Sequence, residues 1–469
     1  MRSFLIIIWA GLILLSVSCS KDLGNYDYIE PEEPVVTNLD SVYRVYVGDR
    51  LVVNPTVTFS NAANLSYEWK ISIPGEMRED YYEGSKLDIF FGLETQRYSA
   101  RFTVVDNNSG MKYFYPFTII GQAAFSEGIV LLTANSGKAE ISFIKPDGTV
   151  QPNLYEQMYG EPLPNGPLQL IALQHQYMMN LPYLGYWIIC SDQNNPGVEL
   201  DVNSFQRIKY FRENFFDQPS GEISAGSFIS QPVGTMNGVI NNKLYVGASS
   251  TYYISPVYGF FGAPVPGDYQ LATELIYSGG YYIGYDLSKG RLVYFDGGAN
   301  YYGDDYTVSG NAFNPKQISL DLYTMQMVSM DVHYVIGKDK TDNQVYEYKF
   351  GVKPSPVTVT PVQKRPFARQ DLINAGTKWV LSGTEVFYFT SGSQVYRYNP
   401  LNEDFRTLST DFGGKNVSML KMDEDGETLI AGTEGNLYFL DISTGKNGEI
   451  IRKITGIQGE PVDLYVREE

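Results

Sequence analysis

Cysteine and histidine are scarce in this chain, and their scarcity excludes several kinds of chemistry. Only Cys19 and Cys190, and only His175 and His333, occur among 469 residues. Neither histidine has a partner at metal-ligand spacing, so zinc chemistry lacks its ligands and histidine-dependent nucleophilic catalysis lacks its parts. We therefore expect no metal site, and we interpret both histidines as structural.

Phosphate-binding motifs and positive charge are also lacking. The sequence contains neither G-x-x-x-x-G-K-[ST] nor G-x-G-x-x-G after a strand, so nucleotide phosphates have no predicted cradle. A formal net charge of −18 disfavours nucleic acid and anionic lipid as partners. We expect neither a cofactor nor a nucleic-acid partner.

Long hydrophobic runs are absent except at the start of the chain. Residues 4–15 are apolar almost throughout, follow the positive charge of Arg2 and precede the small residues Ser16 and Ser18. This run is shorter than the roughly 20 residues that a spanning helix needs. The order of charge, apolar run and small residues is typical of a secretory signal peptide, which we predict for residues 1–18.

The residues around Cys19, "LLSVSCS", resemble the lipobox of bacterial lipoproteins in the relaxed form found in Bacteroidetes. The resemblance implies cleavage before Cys19 and attachment of acyl chains to it, and two or more chains anchor a protein stably. The alternative is an ordinary secreted protein whose Cys19 is discarded with the signal peptide. Residues 19–34 are then predicted to be a lipidated flexible tether, and their acidic residues partly resemble a surface export signal.

The composition favours an all-β fold. The chain has 38 Tyr, 25 Phe, 45 Gly and 24 Pro, which is typical of many short strands joined by tight turns. Its length predicts two domains. Cys190 follows four apolar or aromatic residues in "YWIIC" and is predicted to be a small buried strand residue rather than a nucleophile.

Residues 35–124 are predicted to form an Ig-like sandwich. The alternating runs "YSARFTVVD" and "KYFYPFTI", separated by "DNNSG", predict a hairpin. Trp69 in "YEWKI" falls where an Ig-like sandwich places its buried aromatic residue of strand C. On "YEW", "RFTVVDNNSG" and the segment that follows Cys19, the chain resembles the PKD-like family of Bacteroidetes lipoproteins.

Residues 125–469 show a loose repeat of strand, turn and strand. Examples are "GYDLSKGRLVYFDGG" and "GETLIAGTEGNLYFLDISTGK". Units that recur at roughly 40 to 50 residues predict a β-propeller-like domain, here with six or seven blades. Within the repeat, "MDEDGE" at residues 422–427 could form a calcium loop, but a polar hairpin turn explains it better.

An aromatic segment interrupts this repeat at residues 250–270, "STYYISPVYGFFGAPVPGDYQ". It does not alternate and is too long for a hairpin turn. Aromatic faces stack on sugar rings and anchor protein interfaces. The candidate ligand or partner surface is therefore Tyr252, Tyr253, Tyr258, Phe260, Phe261 and Tyr269, whereas the alternating tyrosines of the later "YYIGYD" are interpreted as propeller core. Separately, "DSV" resembles the O-glycosylation acceptor of Bacteroidetes and makes Ser41 a candidate.

The resemblance implies a cell-surface lipoprotein of the outer membrane that works beside a nutrient importer of the SusC/SusD type. The first hypothesis is a non-catalytic accessory subunit that captures a glycan or an oligopeptide. The second is a scaffold that docks on the importer without touching the ligand. The third is a surface polymer hydrolase that uses carboxylates such as Asp304 and Asp305. It has the least support, so we expect no enzyme activity. We expect the protein to contact the membrane only through the lipid.

Overall fold

The computed structural model describes residues 32–46, 49–60, 64–73, 78–91, 93, 95–122, 125–174, 183–249 and 255–467. The chain divides into two compact units, Met1–Gln122 and Ala123–Glu469. In the described residues nearly all regular structure is strand, as the composition predicts. The helices there are α1 (Leu154–Tyr159) and two short 3-10 helices, Phe211–Glu213 and Gln370–Leu372. None of these described helices is long and apolar enough to cross a membrane.

The first unit is a small sandwich built on a five-stranded sheet. This sheet has the order β2 (Val42–Tyr46), β9 (Lys112–Gln122), β8 (Arg97–Asp106), β5 (Leu65–Ile73) and β6 (Arg78–Glu83). Strand β2 runs parallel to β9, and the other pairs are antiparallel. Two-stranded sheets complete the unit: β1 (Val35–Thr37) with β4 (Thr56–Thr58), and β3 (Arg50–Val53) with β7 (Leu87–Phe90).

The predicted hairpin and the predicted buried aromatic residue are both confirmed in this unit. Strands β8 and β9 pair across a turn in which the Asp106 carboxylate accepts the backbone N–H of Asn108 at 2.9 Å and the hydroxyl of Ser109 at 2.6 Å. Trp69 in β5 is 1% exposed, and its ring centroid lies 4.3 Å from that of Phe102. Its indole N–H donates to the Gly84 carbonyl at 2.7 Å, which satisfies its only polar atom inside the core.

In the second unit, the described residues form seven sheets, which we call blades 1 to 7. Blade 1 combines β10 (Gly128–Asn135), β11 (Lys138–Ile144) and β12 (Val150–Gln151) with the last strand of the chain, β37 (Glu460–Arg467). Blade 2 contains β13 (Pro167–Gln174), β14 (Tyr183–Cys190), β15 (Gly197–Leu200) and β16 (Arg207–Tyr210). Blade 3 contains β17 (Ala225–Ser230), β18 (Met236–Ile240) and β19 (Lys243–Val246).

Blades 4 to 7 repeat the same antiparallel pattern. Blade 4 contains β20 (Leu271–Tyr277), β21 (Tyr281–Asp286), β22 (Arg291–Asp296) and β23 (Tyr301–Gly303). Blade 5 contains β25 (Leu320–Ser329), β26 (Val332–Asp339), β27 (Val345–Pro354) and β28 (Val357–Pro366), with β24 (Thr307–Val308) parallel to β28. Blade 6 contains β29 (Trp379–Leu381), β30 (Phe387–Ser391), β31 (Gln394–Asn399) and β32 (Asp404–Thr407). Blade 7 contains β33 (Val417–Met422), β34 (Thr428–Thr433), β35 (Asn436–Asp441) and β36 (Glu449–Thr455).

These blades form a closed ring. The strand that begins each blade contacts the strand that begins the next, in the order β13, β17, β20, β25, β29 and β33. Strand β33 contacts β37, and β37 contacts β13, so the C-terminal strand closes the ring. The β-propeller architecture predicted from the repeat is confirmed, and the seven described sheets fall within the predicted six or seven blades.

Polar side chains on these inner strands connect neighbouring blades. The Gln169 side-chain amide of blade 2 donates to the Phe228 carbonyl of blade 3 at 2.9 Å and accepts the Phe228 N–H at 3.0 Å. Similar bonds join other neighbours: the Ser227 hydroxyl to the Thr273 carbonyl, the Leu170 N–H to the Asp463 carboxylate, and the Ser418 hydroxyl to the Pro461 carbonyl. Such bonds fix the angle between blades more specifically than apolar packing alone.

Local sequence explains how individual hairpins form. Between β18 and β19 the loop is two residues long, Asn241 and Asn242, with φ angles of 49° and 61°. A two-residue hairpin loop of this kind requires positive φ at both positions, and asparagine tolerates that conformation better than most residues. The loop places β19 so that the aromatic segment after it begins at one end of blade 3.

Candidate functional site

Three predicted site residues lie outside the residues that the structure describes: the candidate lipidation site Cys19 and the aromatic residues Tyr252 and Tyr253. His175, which we interpret as structural, also lies outside them. Ser41 is described: it is exposed and lies directly before β2, where its carbonyl accepts the Thr118 N–H at 2.9 Å. Its O-glycosylation stays a prediction.

The aromatic segment after β19 is closed at its base by backbone hydrogen bonds. The Ala248 N–H donates to the Phe260 carbonyl, and the Gly259 N–H donates to the Ala248 carbonyl, both at 2.9 Å. Beyond them Phe261 forms isolated bridges with Gly247 of blade 3 and with Phe215, which follows the last strand of blade 2. The base of the loop is thus tied to two blades.

The described tip of the loop is a tight turn. The Tyr258 N–H donates to the Ser255 carbonyl at 3.0 Å, with Pro256 at the second position of the turn. Proline is favoured at this position of a turn because its ring fixes the φ angle that the turn requires. The Tyr258 hydroxyl donates to the Val233 carbonyl of blade 3, which fixes the ring against the β17–β18 turn.

The prediction that Phe261 and Tyr269 form part of an exposed surface is wrong. Phe261 is 0% exposed and Tyr269 is 1% exposed. Phe261 packs among the rings of Phe211, Phe215 and Phe228, and Tyr269 packs on other aromatic rings of the core. Both side chains fill the ends of blades, where the chain folds back onto the sheet.

Tyr258 instead lines a cleft between blades 2 and 3, and Phe260 lies beside it against Lys209. The cleft has a volume of about 180 Å³, and its lining includes Trp187, Glu199, Lys209, Asn214 and Tyr258. Asn214 is 2% exposed, and its side-chain amide donates to the Gly259 carbonyl at 3.1 Å, which holds the loop against blade 2. We call this the aromatic cleft.

A lysine between two aromatic rings forms one wall of the aromatic cleft. The Lys209 ammonium lies 5.7 Å from the centroid of Trp187 and 4.8 Å from that of Phe260, within the range of cation–π attraction. The same ammonium lies 3.3 Å from the Glu199 carboxylate. Because Phe260 belongs to the loop and Lys209 to blade 2, this contact also holds the loop in place.

The electrostatics of the pair follow from its burial. Glu199 is 7% exposed, and this burial raises its pKa, while Lys209 acts in the opposite direction. A Cβ atom on Gly185 would lie 2.7 Å from the Glu199 carboxylate, so a larger residue at this position would displace the carboxylate. The Glu199–Lys209 pair thus carries little net charge and offers hydrogen-bonding groups beside the aromatic side chains of the cleft.

Apolar side chains surround the mouth of this cleft. Phe216 is 51% exposed, Ile208 is 50% exposed and Val233 is 38% exposed. The Phe216 ring lies 5.8 Å from that of Phe260, so the exposed ring continues the aromatic wall outward. A cluster of this kind at one mouth is typical of binding surfaces.

The carboxylates proposed for hydrolysis do not form a facing pair. Asp304 is bound to the Arg291 guanidinium at 2.6 Å, and Arg291 also lies 3.4 Å from Asp286. Asp305 is exposed, and its N–H closes a turn on the Tyr302 carbonyl at 3.0 Å. Two adjacent turn residues, one of them paired with arginine, do not flank a substrate as glycosidase carboxylates do.

The other reactive residues that the structure describes have structural roles. Cys190 in β14 is buried, as predicted, and burial raises its pKa to about 12. His333 is also buried, which lowers its pKa to about 4, and its Nε2 lies 2.9 Å from the Tyr281 hydroxyl. The "MDEDGE" segment forms the predicted hairpin turn, in which the Asp425 carboxylate accepts the N–H groups of Glu427 and Thr428.

No group of three or more histidine, cysteine, aspartate or glutamate residues that could hold a metal ion occurs in the described part of the chain. A larger cleft, of about 540 Å³, lies between blades 7 and 1 and is lined partly by Phe439, Ile451 and Val466. The predicted site residues that the structure describes do not line it.

Sequence reasoning found Tyr258 and Phe260 but missed the residues opposite them. Trp187, Glu199 and Lys209 belong to ordinary strands of blade 2, in which Trp187 and Glu199 are themselves buried, and no motif marks them. A signal was present in "NFFD", because Phe216 follows the core residue Phe215 at the end of a blade. Residues distant in the sequence meet here only because adjacent blades pack side by side.

The fold and the cleft define an all-β protein in which a sandwich precedes a propeller whose described strands form seven blades. A model of the PKD-like family matches residues 19–167. The match covers the described strands of the first unit and continues through β12 of blade 1. The predicted resemblance to this family is confirmed for that part of the chain.

Two of the solved structures that the chain resembles come from Bacteroides thetaiotaomicron. A quinonprotein alcohol dehydrogenase-like protein from Bacteroides thetaiotaomicron is 12% identical, with 93% of this chain and 99% of that chain covered and a TM-score of 0.44. An auxiliary nutrient binding protein from the same species is 10% identical, with 83% and 93% covered and a TM-score of 0.36. No curated protein matches the chain.

Proposed function

We propose that this protein is a non-catalytic lipoprotein at the cell surface, anchored in the outer membrane through Cys19. In this proposal it is an accessory subunit of a SusC/SusD-type importer and binds a glycan or an oligopeptide in the aromatic cleft. The family match begins at residue 19, which supports a mature chain that starts at the predicted lipidated cysteine.

The observation that carries ligand binding is the position of Tyr258 and Lys209 in the lining of the cleft, with the Phe260 ring packed on Lys209. The described part of the loop is held by backbone bonds at its base and by the Tyr258 hydroxyl, so the rings of Tyr258 and Phe260 are positioned before a ligand arrives. Such preorganisation lowers the entropic cost of binding. The rings offer apolar faces, and the Glu199–Lys209 pair offers an acceptor and a donor below them.

The size of the aromatic cleft limits what enters it. Its volume of about 180 Å³ lies below the range of roughly 300–1,000 Å³ that is usual for whole small-molecule ligands. One unit of a longer chain, such as a single sugar ring or a single side chain, fits this volume. The exposed rim at Phe216 and Ile208 then contacts the neighbouring units.

Binding of neutral oligosaccharides and of oligopeptides to residues 20–469, measured by calorimetry, tests this proposal. We expect Phe260→Ala to weaken binding about tenfold, because it removes the ring that packs on Lys209 of the cleft lining. Phe114→Ala is the matched control, since Phe114 is 53% exposed in the first unit. Equal affinity of the Phe260 variant and the control variant would contradict binding in this cleft.

The importer partnership is tested with the lipidated chain in its own membrane. Affinity purification from detergent-solubilised outer membranes should recover a SusC/SusD-type complex. Replacement of Cys19 by alanine should remove the protein from the membrane fraction. Recovery without any importer component contradicts the accessory role.

The exposed apolar rim favours one second candidate, the scaffold that docks on the importer. Ile208, Phe216 and Val233 present apolar surface of the kind that protein interfaces bury. If the protein is a scaffold, Phe216→Asp should abolish recovery of the importer, and the purified chain should bind no oligosaccharide or peptide. If the protein is a ligand-binding subunit, the purified chain should bind ligand with or without the importer.

A further inference from the structure

A second cleft, between blades 6 and 7, has a different chemical character. Its volume is about 420 Å³, within the usual range for small-molecule sites. Side chains from β31 and β32 of blade 6 and from the β35–β36 turn of blade 7 line it, among them Arg397, Asp404, Arg406 and Lys446. We call it the basic cleft.

Two arginines lie directly opposite each other in this cleft. Arg397 of β31 is the register partner of Arg406 on β32, so both side chains leave the same face of the sheet. Like charges at directly opposed positions destabilise a sheet. A pair of this kind therefore needs compensating negative charge.

The compensation that the chain itself supplies is one shared carboxylate. Asp404 lies 2.7 Å from the Arg406 guanidinium and 3.5 Å from that of Arg397. Lys446 adds a third cation, whose carboxylate partner Asp441 is 3.9 Å away. The lining thus carries three cations against Asp404 and Glu427, in a chain whose net charge is −18.

These cations remain accessible. The exposed fractions of the side chains are 25% for Arg397, 64% for Arg406 and 49% for Lys446. Each guanidinium has five N–H donors, and one carboxylate shared by two of them cannot use all of these donors. The cleft can therefore accept additional oxygen atoms from a ligand.

The rest of the lining is rich in amides and hydroxyls. The side-chain oxygens of Asn399 and Asn402 accept the backbone N–H groups of Leu401 and Asp404, which leaves their NH₂ groups as donors. Thr384 and Thr444 contribute hydroxyls. A lining of this kind complements a ligand with many oxygen acceptors better than it complements apolar peptide side chains.

We propose that the basic cleft binds an acidic oligosaccharide, with a carboxylate of the sugar chain bridging Arg397 and Arg406. The planar guanidinium groups match a carboxylate in pairs of parallel hydrogen bonds, and the surrounding amides and hydroxyls bind the sugar hydroxyls. This inference deepens the proposed ligand-binding role by naming a ligand class, but it rests on a cleft separate from the aromatic one.

Calorimetry of residues 20–469 with trigalacturonic acid at low salt tests the proposal, and the fully methyl-esterified trisaccharide serves as the uncharged probe of the same shape. We expect the acid to bind and the ester to bind at least about tenfold more weakly, since charge-assisted hydrogen bonds are lost. Affinity for the acid should fall as salt rises. Equal binding of acid and ester would overturn the proposal.

Two variants separate a binding role from a structural one. Arg406→Gln should weaken binding of the acid at least about tenfold, and because Arg406 is largely exposed, the fold should persist. Asp404→Asn should strengthen binding, since it releases both guanidinium groups. Unchanged affinity in both variants, each shown to be folded by its thermal unfolding, overturns the proposal.

Further controls identify the ligand class and the cleft. Binding of triglutamate as tightly as trigalacturonate would overturn the assignment to an oligosaccharide. Phe260→Ala, in the aromatic cleft, should leave trigalacturonate binding unchanged. If Phe260→Ala abolishes it and Arg406→Gln does not, the acid binds in the aromatic cleft, which supports the proposed function and overturns this inference.

Discussion

The carboxyl group of Glu274 on β20 accepts the backbone N–H of Met325 on β25 at 2.5 Å, and so joins blades 4 and 5. Although Glu274 keeps some exposed surface, its carboxyl group lies between inner strands, and burial raises its pKa from 4.5 to about 7. A carboxyl group with a raised pKa binds more protons in the folded chain than in the unfolded chain. Its contribution to stability is therefore full below pH 4.5 and is lost as the pH rises through about 7.

Glu274→Gln should remove this pH dependence. Relative to the variant, the natural chain should lose up to about 3 kcal/mol of unfolding free energy between pH 4.5 and pH 8. Urea unfolding of residues 20–469 across this range measures the difference. Glu424→Gln, in an exposed turn of blade 7, is the control. The prediction is contradicted if the difference in unfolding free energy between Glu274→Gln and the natural chain does not vary with pH.

Trp69→Ala should unfold the first unit without unfolding the propeller. Trp69 contacts Phe102 and Phe117 in the core of the sandwich, and removing a buried tryptophan side chain costs about 3–5 kcal/mol. Differential scanning calorimetry should show one transition moved to lower temperature or lost, and a second one unchanged. Tyr81→Ala, at a position 66% exposed, should change neither. A single transition that shifts as a whole would mean that the two units unfold together.

The sequence predicts the fold better than the site, and particular residues show why. Trp69, Cys190 and the β8–β9 hairpin were predictable because burial and strand pairing follow from the local alternation of apolar and polar residues. The same criterion failed for Phe261 and Tyr269. Their segment does not alternate, yet the chain folds back and places both rings in the core.

The two clefts depend on strand register and on contacts between blades, which no local pattern encodes. Lys209 and Phe260 meet because blade 2 packs against the loop of blade 3. Arg397 and Arg406 are opposed because β31 and β32 pair in one register, and a shift by one residue would separate them. Sequence reasoning supplies the residue types, whereas strand pairing and the packing of blades set the distances between them.

Cys190 should be unreactive in the folded chain. Its thiol is buried, and burial raises its pKa to about 12, so the thiolate that reacts with disulfide reagents is scarce at pH 8. In residues 20–469, which contain no other cysteine, a disulfide reagent should label no thiol in buffer and one thiol in denaturant. A Ser309→Cys variant, exposed in blade 5, should give one labelled thiol in buffer. Rapid labelling of the natural folded chain would contradict the buried position of Cys190.

Arg467 should be essential for the stability of the closed ring. It lies at the end of β37 and is 6% exposed. Its guanidinium donates to the Phe125 carbonyl at 2.7 Å and to the Val202 carbonyl at 2.5 Å. It also donates to the Asn203 side chain at 2.9 Å. Arg467→Ala leaves two carbonyl groups without their donor, and each such loss costs about 1–3 kcal/mol.

The propeller transition should therefore move to lower temperature in Arg467→Ala, while the transition of the first unit stays in place. Arg467→Lys should recover only part of the loss, because one ammonium group cannot reproduce the planar fork that reaches three acceptors. Lys353→Ala, an exposed cation in blade 5, should leave both transitions unchanged. If Arg467→Ala and Lys353→Ala unfold alike, the ring is held by strand pairing between β37 and β10 alone, and the guanidinium adds nothing to its closure.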